Sequence, residues 1–388
     1  VGTPDGGDPG LMRKLRATFQ PGCEVLVHRV VGYAEVGAEW TPHLRFLVKV
    51  ESKEERAGVE ALKDAALANV AWVQSAALQD GDVVVPHPDR DEAVVLMRES
   101  DTHHALFMTN RCNSYCLMCS QPPTPGDDSW LVEEAVDAIR HLRHSPDVLG
   151  LTGGEPLLLG AGLRRVLDAV AQHHPRTRVE VLTNGRLFAD PKVVSTILDG
   201  LSVPVRWLVP LYGHADFVHD FVVQAHGAYD ETLAGLLALQ ANCQAIQLRI
   251  VLIEPVLQVL PELAGFIGRN LPFVHEVALM GCEPTGFALA NRALCEVDLS
   301  AWGSTLEQAA RVLRRHAVPH LFMNAPLCAL PRTLWPVASR SISDWKNVYA
   351  SECDRCAVKA RCAGLFAWHE KGWKPAPLKA IEAGEVIA

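Results

Sequence analysis

From residue 106 onward the chain alternates short apolar runs with longer amphipathic stretches. The runs are Leu106-Phe107-Met108-Thr109, Val148-Leu149-Gly150-Leu151, Val179-Glu180-Val181-Leu182, Val205-Arg206-Trp207-Leu208-Val209, Gln247 to Ile253 and Glu276-Val277-Ala278-Leu279. Runs this short, bounded by turns and separated by helical periodicity, predict parallel strands with helical crossovers. The clearest intervening helix carries Leu131, Val132, Ala135, Val136, Ile139 and Leu142 at helical spacing, while Glu133, Glu134 and Asp137 occupy the other face and favour its N-terminal end. Six such units fall short of a closed eight-stranded barrel, so the expected fold is α/β, an open (β/α)6 barrel. Right-handed crossovers would bring every strand's C-terminal end to one rim.

The first hundred residues have a different texture. Glu24-Val25-Leu26-Val27 and Arg45-Phe46-Leu47-Val48-Lys49-Val50 read as strands, and a helix is expected near Arg56 to Ala68. The predicted organisation is therefore an N-terminal α+β module over 1–100, the barrel over 101–300 and a C-terminal cysteine-rich module over 301–388. The N-terminal module either grips a substrate peptide or braces the barrel.

Composition narrows the ligand class. The chain has 388 residues, 49% of them hydrophobic, and a formal charge of -9. An acidic balance gives no phosphate-binding surface, so no nucleic-acid partner is expected. No apolar run reaches the roughly 18 residues of a membrane span, so no membrane association is expected and the cytoplasm is the expected location. Eleven cysteines are present, and in a reducing compartment clustered cysteines hold metal more often than they pair. Cys23, Cys243, Cys282 and Cys295 are scattered and read as small buried apolar side chains.

Directly after the first barrel strand come Cys112, Cys116 and Cys119, in a C-x3-C-x2-C spacing. Three thiolates on one loop can hold three corners of a 4Fe-4S cube, and the fourth iron is then left for an outside ligand. The amino and carboxylate groups of S-adenosylmethionine (SAM) suit that vacancy. A zinc loop is the alternative, but zinc usually recruits a fourth ligand, and none lies nearby. The second strand ends in Thr152-Gly153-Gly154-Glu155-Pro156. Its glycines would let backbone approach a ligand, Glu155 would accept from a ligand ammonium, and Pro156 would fix the turn. After the third strand stands Thr183-Asn184-Gly185, a turn on the same rim.

Near the C-terminus Cys353, Cys356 and Cys362 follow a C-x2-C-x5-C spacing, with Cys328 upstream. Four thiolates close around either zinc or a 4Fe-4S cluster, and the spacing does not choose between them.

In this order the cysteine triplet, the Gly-Gly-Glu-Pro segment and the Thr-Asn-Gly turn resemble the radical SAM superfamily. The resemblance implies a partial TIM-like (β/α)6 barrel whose SAM pocket is lined by Gly153, Gly154, Glu155, Pro156, Thr183 and Asn184. Met118 stands where the family more often has an aromatic residue, and it keeps an apolar contact there. Arg249 and Glu254 are candidates for the remaining SAM contacts. The second cysteine group is similar to SPASM and twitch extensions, which implies an auxiliary 4Fe-4S cluster on Cys328, Cys353, Cys356 and Cys362.

A closer resemblance lies in Thr109 to Pro123, Ala278 to Ala288 and Ser341 to Asn347. These strings are similar to the His-Xaa-Ser system radical SAM maturase of the C type. That resemblance implies a precursor peptide with His-Xaa-Ser repeats, a sister radical SAM maturase and a low-potential electron donor as partners. Two other readings remain open: a radical SAM enzyme of a small metabolite, and a non-catalytic metal-binding interaction protein. His219-Asp220 reads as a solvated loop pair, and Trp335, Trp345, Trp368 and Trp373 read as packing of the C-terminal module.

Overall fold

The computed structural model describes residues 13–64, 67, 69–101, 103–340, 347–366, 369, 373 and 378–386. The N-terminal module is one mixed sheet. Its strands are β1 (Arg13–Arg16), β2 (Thr18–Phe19), β3 (His28–Gly32), β4 (Phe46–Lys49), β5 (Val70–Gln74), β6 (Val83–His87) and β7 (Glu92–Met97), in the order β1-β7-β6-β3-β4-β5-β2. Helices α1 (Val36–Glu39) and α2 (Lys53–Asp64) follow β3 and β4, and β3, β4 and β5 are mutually parallel, the arrangement that crossovers of this kind allow. The expected strand at Glu24–Val27 is absent. Val25 and Leu26 are exposed there, and the strand begins at His28 instead.

The barrel sheet has seven strands where the sequence predicts six. They are β8 (His104–Phe107), β9 (Val148–Thr152), β10 (Arg178–Leu182), β11 (Val205–Pro210), β12 (Ala245–Leu252), β13 (Glu276–Gly281) and β14 (His320–Met323), adjacent in chain order. Every neighbouring pair is parallel. The crossovers carry α3 (Trp130–His141), α4 (Ala161–His173), α5 (Pro191–Leu198), α6 (Asp216–Val223), α7 (Ala228–Ala241), α8 (Glu254–Leu257), α9 (Leu260–Asn270), α10 (Phe287–Ala290), α11 (Arg292–Cys295) and α12 (Gly303–Arg315). The seventh strand is four residues long, too short to register as a periodic run. Its pairing with β13, from Val277↔His320 to Met280↔Met323, makes it a strand. Residues up to Met323 thus belong to the barrel, although a boundary at 301 would have placed α12 and β14 in the C-terminal module.

The module and barrel share one apolar core. Val83, Val85, Val94 and Leu96 are continuous with Leu106, Ile139 and Leu149. Polar contacts fix the same junction: Arg29 Nε donates to the His141 carbonyl at 2.6 Å, and the Arg45 amide donates to His141 Nε2 at 3.0 Å. Burial lowers the His141 pKa to about 4, which keeps Nε2 free to accept. This face of the module braces the barrel. Among the described residues no helix is long and apolar enough to cross a membrane.

Glu134, on α3, faces a small space between module and barrel lined by Leu96, Leu106 and Leu131. Burial raises its pKa to about 7. A carboxyl raised on folding holds its proton in the native state after the unfolded chain has lost it. Stability therefore falls as pH rises from about 4.5 to about 7, and the loss is complete above that. Glu134→Gln should raise stability at pH 8 by on the order of 2 kcal/mol and leave it unchanged near pH 4, measured as the urea midpoint at each pH.

Candidate functional site: a thiol-lined cavity on the barrel rim

The first strand leads directly into the cysteine loop, and a buried carboxylate sets its start. Thr109 Oγ1 donates to Asp128 Oδ1 at 3.0 Å, and the Asn110 amide donates to Asp128 Oδ2 at 2.5 Å. Sequence reasoning missed Asp128, whose only signal is a place just ahead of α3. The loop then meets the end of β9 backbone to backbone: the Gly154 amide donates to the Thr109 carbonyl at 2.6 Å, and the Glu155 amide to that of Arg111 at 2.7 Å.

This seam gives the glycines a structural job. A Cβ on Gly154 would lie 2.1 Å from the Arg111 oxygen, and one on Gly153, at φ +137°, would lie 2.5 Å from the Thr109 oxygen. The missing side chains let two backbone segments touch. Glu155 likewise spends its carboxylate inside the protein. Oε1 accepts from Thr183 Oγ1 at 2.6 Å and from the Leu157 amide at 2.9 Å, and Oε2 accepts from the Asn184 amide at 2.7 Å. The side chain is fully buried; burial raises its pKa, and these three donors oppose the rise. Asn184 closes the circuit, donating from Nδ2 to Asn113 Oδ1 at 2.6 Å.

All three elements wall one cavity of about 390 Å³. Cys112, Cys116, Cys119 and Met118 line it, as do Gly153, Gly154, Glu155, Thr183 and Asn184. Pro156 does not; it is buried at the start of a short 3-10 turn behind the rim. Burial pushes the Cys112 thiol up to about 11, and it pushes Cys116 higher still, with Cys119 and Cys112 adding to the rise. The thiols are thus close enough to feel one another.

Later strands contribute Arg249 and, unforeseen, Tyr212 and Glu180. Arg249 Nε donates to Gln247 Oε1 at 3.0 Å, and burial lowers its pKa. Glu254 lies off the cavity and instead bonds Gln258. Tyr212 is buried and stacks on His219 at 5.9 Å. His219 and Asp220 are not a solvated loop pair: both lie on α6. His219 Nδ1 accepts the Tyr212 amide at 3.2 Å, and Asp220 accepts the amides of Gly227 and Tyr229.

Cys328, Cys353, Cys356 and Cys362 line a second, smaller cavity. Its sulfurs receive backbone donors: Cys362 Sγ accepts from Leu327 at 3.3 Å and Gly364 at 3.4 Å, and Cys356 Sγ from Ile381 at 3.5 Å. Amide donors aimed at sulfur suit thiolate ligands, whose charge they stabilise. Trp335 packs beside this site, donating to the Leu327 carbonyl at 3.0 Å, and Trp373 is buried. Trp345, Trp368 and the string from Ser341 to Lys346 lie outside the described residues. Among the described residues no three His, Cys, Asp or Glu side chains converge as a single metal ion requires. In both places the thiols line a cavity. Of the scattered cysteines, Cys243 is exposed, against expectation, and Cys295 is buried.

Glu155→Gln should test the circuit without changing its size. An amide NH2 at either carboxylate position meets a donor it cannot accept from, so a buried donor is left unpaired. The substitution should cost about 1–3 kcal/mol, read as a fall in the urea midpoint of the metal-free protein. Thr183→Val should cost a similar amount, since it removes one donor to Glu155 and also the acceptor of the Gly185 amide.

The family model described as Radical SAM superfamily matches residues 106–267. No curated protein matches the chain. Among solved structures the chain is similar to Streptococcus suis SuiB bound to S-adenosylmethionine, at 13% identity over 57% of this chain and 50% of that one, with a TM-score of 0.46. It is similar to native anSMEcpe with bound AdoMet and Cp18Cys peptide, at 12% identity over 56% and 62% with a TM-score of 0.44. A radical SAM methyltransferase from Sphaerobacter thermophilus aligns at 17% identity over 70% and 73% with a TM-score of 0.41. The chain spans about half the length of the SuiB structure it matches. The stretch matched by the radical SAM superfamily model holds the cysteine triplet, the Gly153-Gly154-Glu155-Pro156 segment and the Thr183-Asn184-Gly185 turn.

Proposed function

We propose that the protein is a cytoplasmic peptide maturase of the radical SAM type, acting on a ribosomally made precursor with His-Xaa-Ser repeats. The observation that carries the radical SAM part is the single cavity shared by Cys112, Cys116, Cys119, the Glu155 segment and the Thr183-Asn184 turn. The peptide, and a sister maturase beside it, rest on the resemblance of residues 109–123 and 278–288 to the His-Xaa-Ser maturases. In this reading Cys112, Cys116 and Cys119 hold the first cluster, and Cys328, Cys353, Cys356 and Cys362 hold an auxiliary one. Held there, the first cluster would supply the one-electron reduction of SAM that starts radical chemistry at a substrate C–H bond.

The chain's own residues bind, orient and shield. Gly153, Gly154 and Glu155 hold the cysteine loop against β9, which fixes where the thiolates point. Backbone carbonyls and the Asn184 side chain at the rim present polar groups to SAM, and Met118 gives it an apolar wall. Arg249, deep in the barrel with its Nε tied to Gln247, presents its remaining guanidinium edge to the cavity and balances a carboxylate there. Tyr212 closes the wall beside the thiols and limits water.

Anaerobic reconstitution followed by SAM cleavage tests the first part. Cys116→Ala should cut 5'-deoxyadenosine formation at least ~100-fold, and cleavage that persists undiminished would sink the reading. Metal analysis tests the second site: about eight irons per chain are expected, falling to about four in Cys353→Ala. About four irons with one zinc, the zinc alone lost in that variant, would assign zinc instead. With a cognate peptide labelled by deuterium, label should pass into 5'-deoxyadenosine. Multiple turnover of a small metabolite without any peptide would favour the metabolite reading.

A further inference from the structure

Beyond β13 the chain does not leave the rim. Residues 282–295 form a strap across the cysteine loop. The Phe287 amide donates to the Cys119 carbonyl at 2.8 Å, and Asn291 Nδ2 donates to the Leu117 carbonyl at 2.9 Å. At Gly286, φ +56°, a Cβ would lie 2.4 Å from the Cys119 oxygen, so the strap is pressed onto the loop. A cysteine stands at each end. Cys282 directly follows β13, and Cys295 ends α11. The two thiols are neighbours that shift each other, Cys282 upward and Cys295 downward; Cys282 Sγ donates to the Glu283 carbonyl and Cys295 Sγ to the Leu117 carbonyl, each at 3.7 Å. Both line a small cavity whose far side is Phe366 and Trp373 of the C-terminal segment. Cys295 is buried and Cys282 is partly exposed. Neither belongs to the two cysteine sets assigned above.

We propose that Cys282 and Cys295 are a redox pair that closes into an intramolecular disulfide, turning the strap into a ring clamped over the cysteine loop. The oxidant is a low-molecular-weight disulfide. Cys282, the accessible sulfur, displaces one thiol from it and forms a mixed disulfide. Cys295, which lines the same small cavity, loses its proton to the thiol leaving group, attacks the Cys282 sulfur as a thiolate and releases the second thiol. One S–S bond breaks and one forms. The pair loses two electrons and two S–H protons, and the released thiols carry both away.

Closing the strap removes its freedom to lift. The Leu117 and Cys119 carbonyls then stay covered, and the loop that carries three cluster ligands opens less often. The clamp's effect on a cluster rests on the radical SAM reading above; the disulfide does not.

Full-length protein, held without oxygen, is exposed to 2-hydroxyethyl disulfide and mapped by mass spectrometry without reduction. The expected product is a peptide pair joined through Cys282 and Cys295 and two hydrogens lighter than the free pair. In Cys295→Ser the adduct should instead persist on Cys282. Adducts on Cys23 and Cys243 with both strap cysteines left as thiols would overturn the proposal, as would a stable Cys282 adduct in the wild type. Iron release to a chelator from the reconstituted enzyme should slow roughly tenfold or more after closure. An unchanged rate with the disulfide formed would overturn the clamp alone.

Discussion

The arrangement depends on one contact: the backbone of the cysteine loop lies directly on the backbone that leaves the second barrel strand. Two parallel strands, β8 and β9, end side by side, and their continuations stay hydrogen-bonded through Gly154 and Glu155. Only glycine permits that spacing, because a methyl group on Gly154 would occupy the Arg111 carbonyl oxygen. The Glu155 side chain then extends the contact to a third strand end by accepting the Thr183 hydroxyl and the Asn184 amide. A buried carboxylate is expensive to desolvate, and this one is tolerable because three donors surround it. It joins three separate turns into one rim. Asn184 returns to Asn113 between the first two cysteines, so the thiols' positions are fixed from both sides.

Much of this was legible in the chain because each feature is local. Cys112, Cys116 and Cys119 are a spacing, Thr183-Asn184-Gly185 is a turn, and five of the six apolar runs lie within a few residues of the strands they announce. The first is displaced, since β8 ends at Phe107 and leaves Met108 and Thr109 to the loop. What the chain could not convey is which partner satisfies a polar group. Glu155 and its glycines look ligand-directed because the residues that use them, Arg111, Thr109 and Thr183, are distant in sequence or lie across the seam. Asp128 and Tyr212 carry no motif; their importance comes from burial beside the cysteine loop and the cavity. Glu24–Val27 has strand composition, yet no neighbouring strand takes it, and β propensity without a partner does not make a strand.

The N-terminal module illustrates a related point. Its sheet face bearing Val83, Val85, Val94 and Leu96 is fused into the barrel's core. His141 is held neutral between the Arg45 amide and its own helix, donating from Nδ1 to the Asp137 carbonyl at 2.7 Å. A junction built from continuous apolar packing and satisfied buried polar groups is a rigid one.

The seventh barrel strand draws the two cysteine sets together. The register of β14 on β13 sets Met280 opposite Met323, so the next residue, Asn324, lines the rim cavity. Pro326 follows against the second thiol cavity, and Cys328 is one of that cavity's four thiols. Each ladder bond fixes this short segment to β13, a strand that is itself interior to the sheet. The strap contributes from the other side, since Cys282 leaves β13 where β14 begins to diverge and packs toward Phe366 and Trp373. Cys328 is thus positioned by the last strand of the barrel.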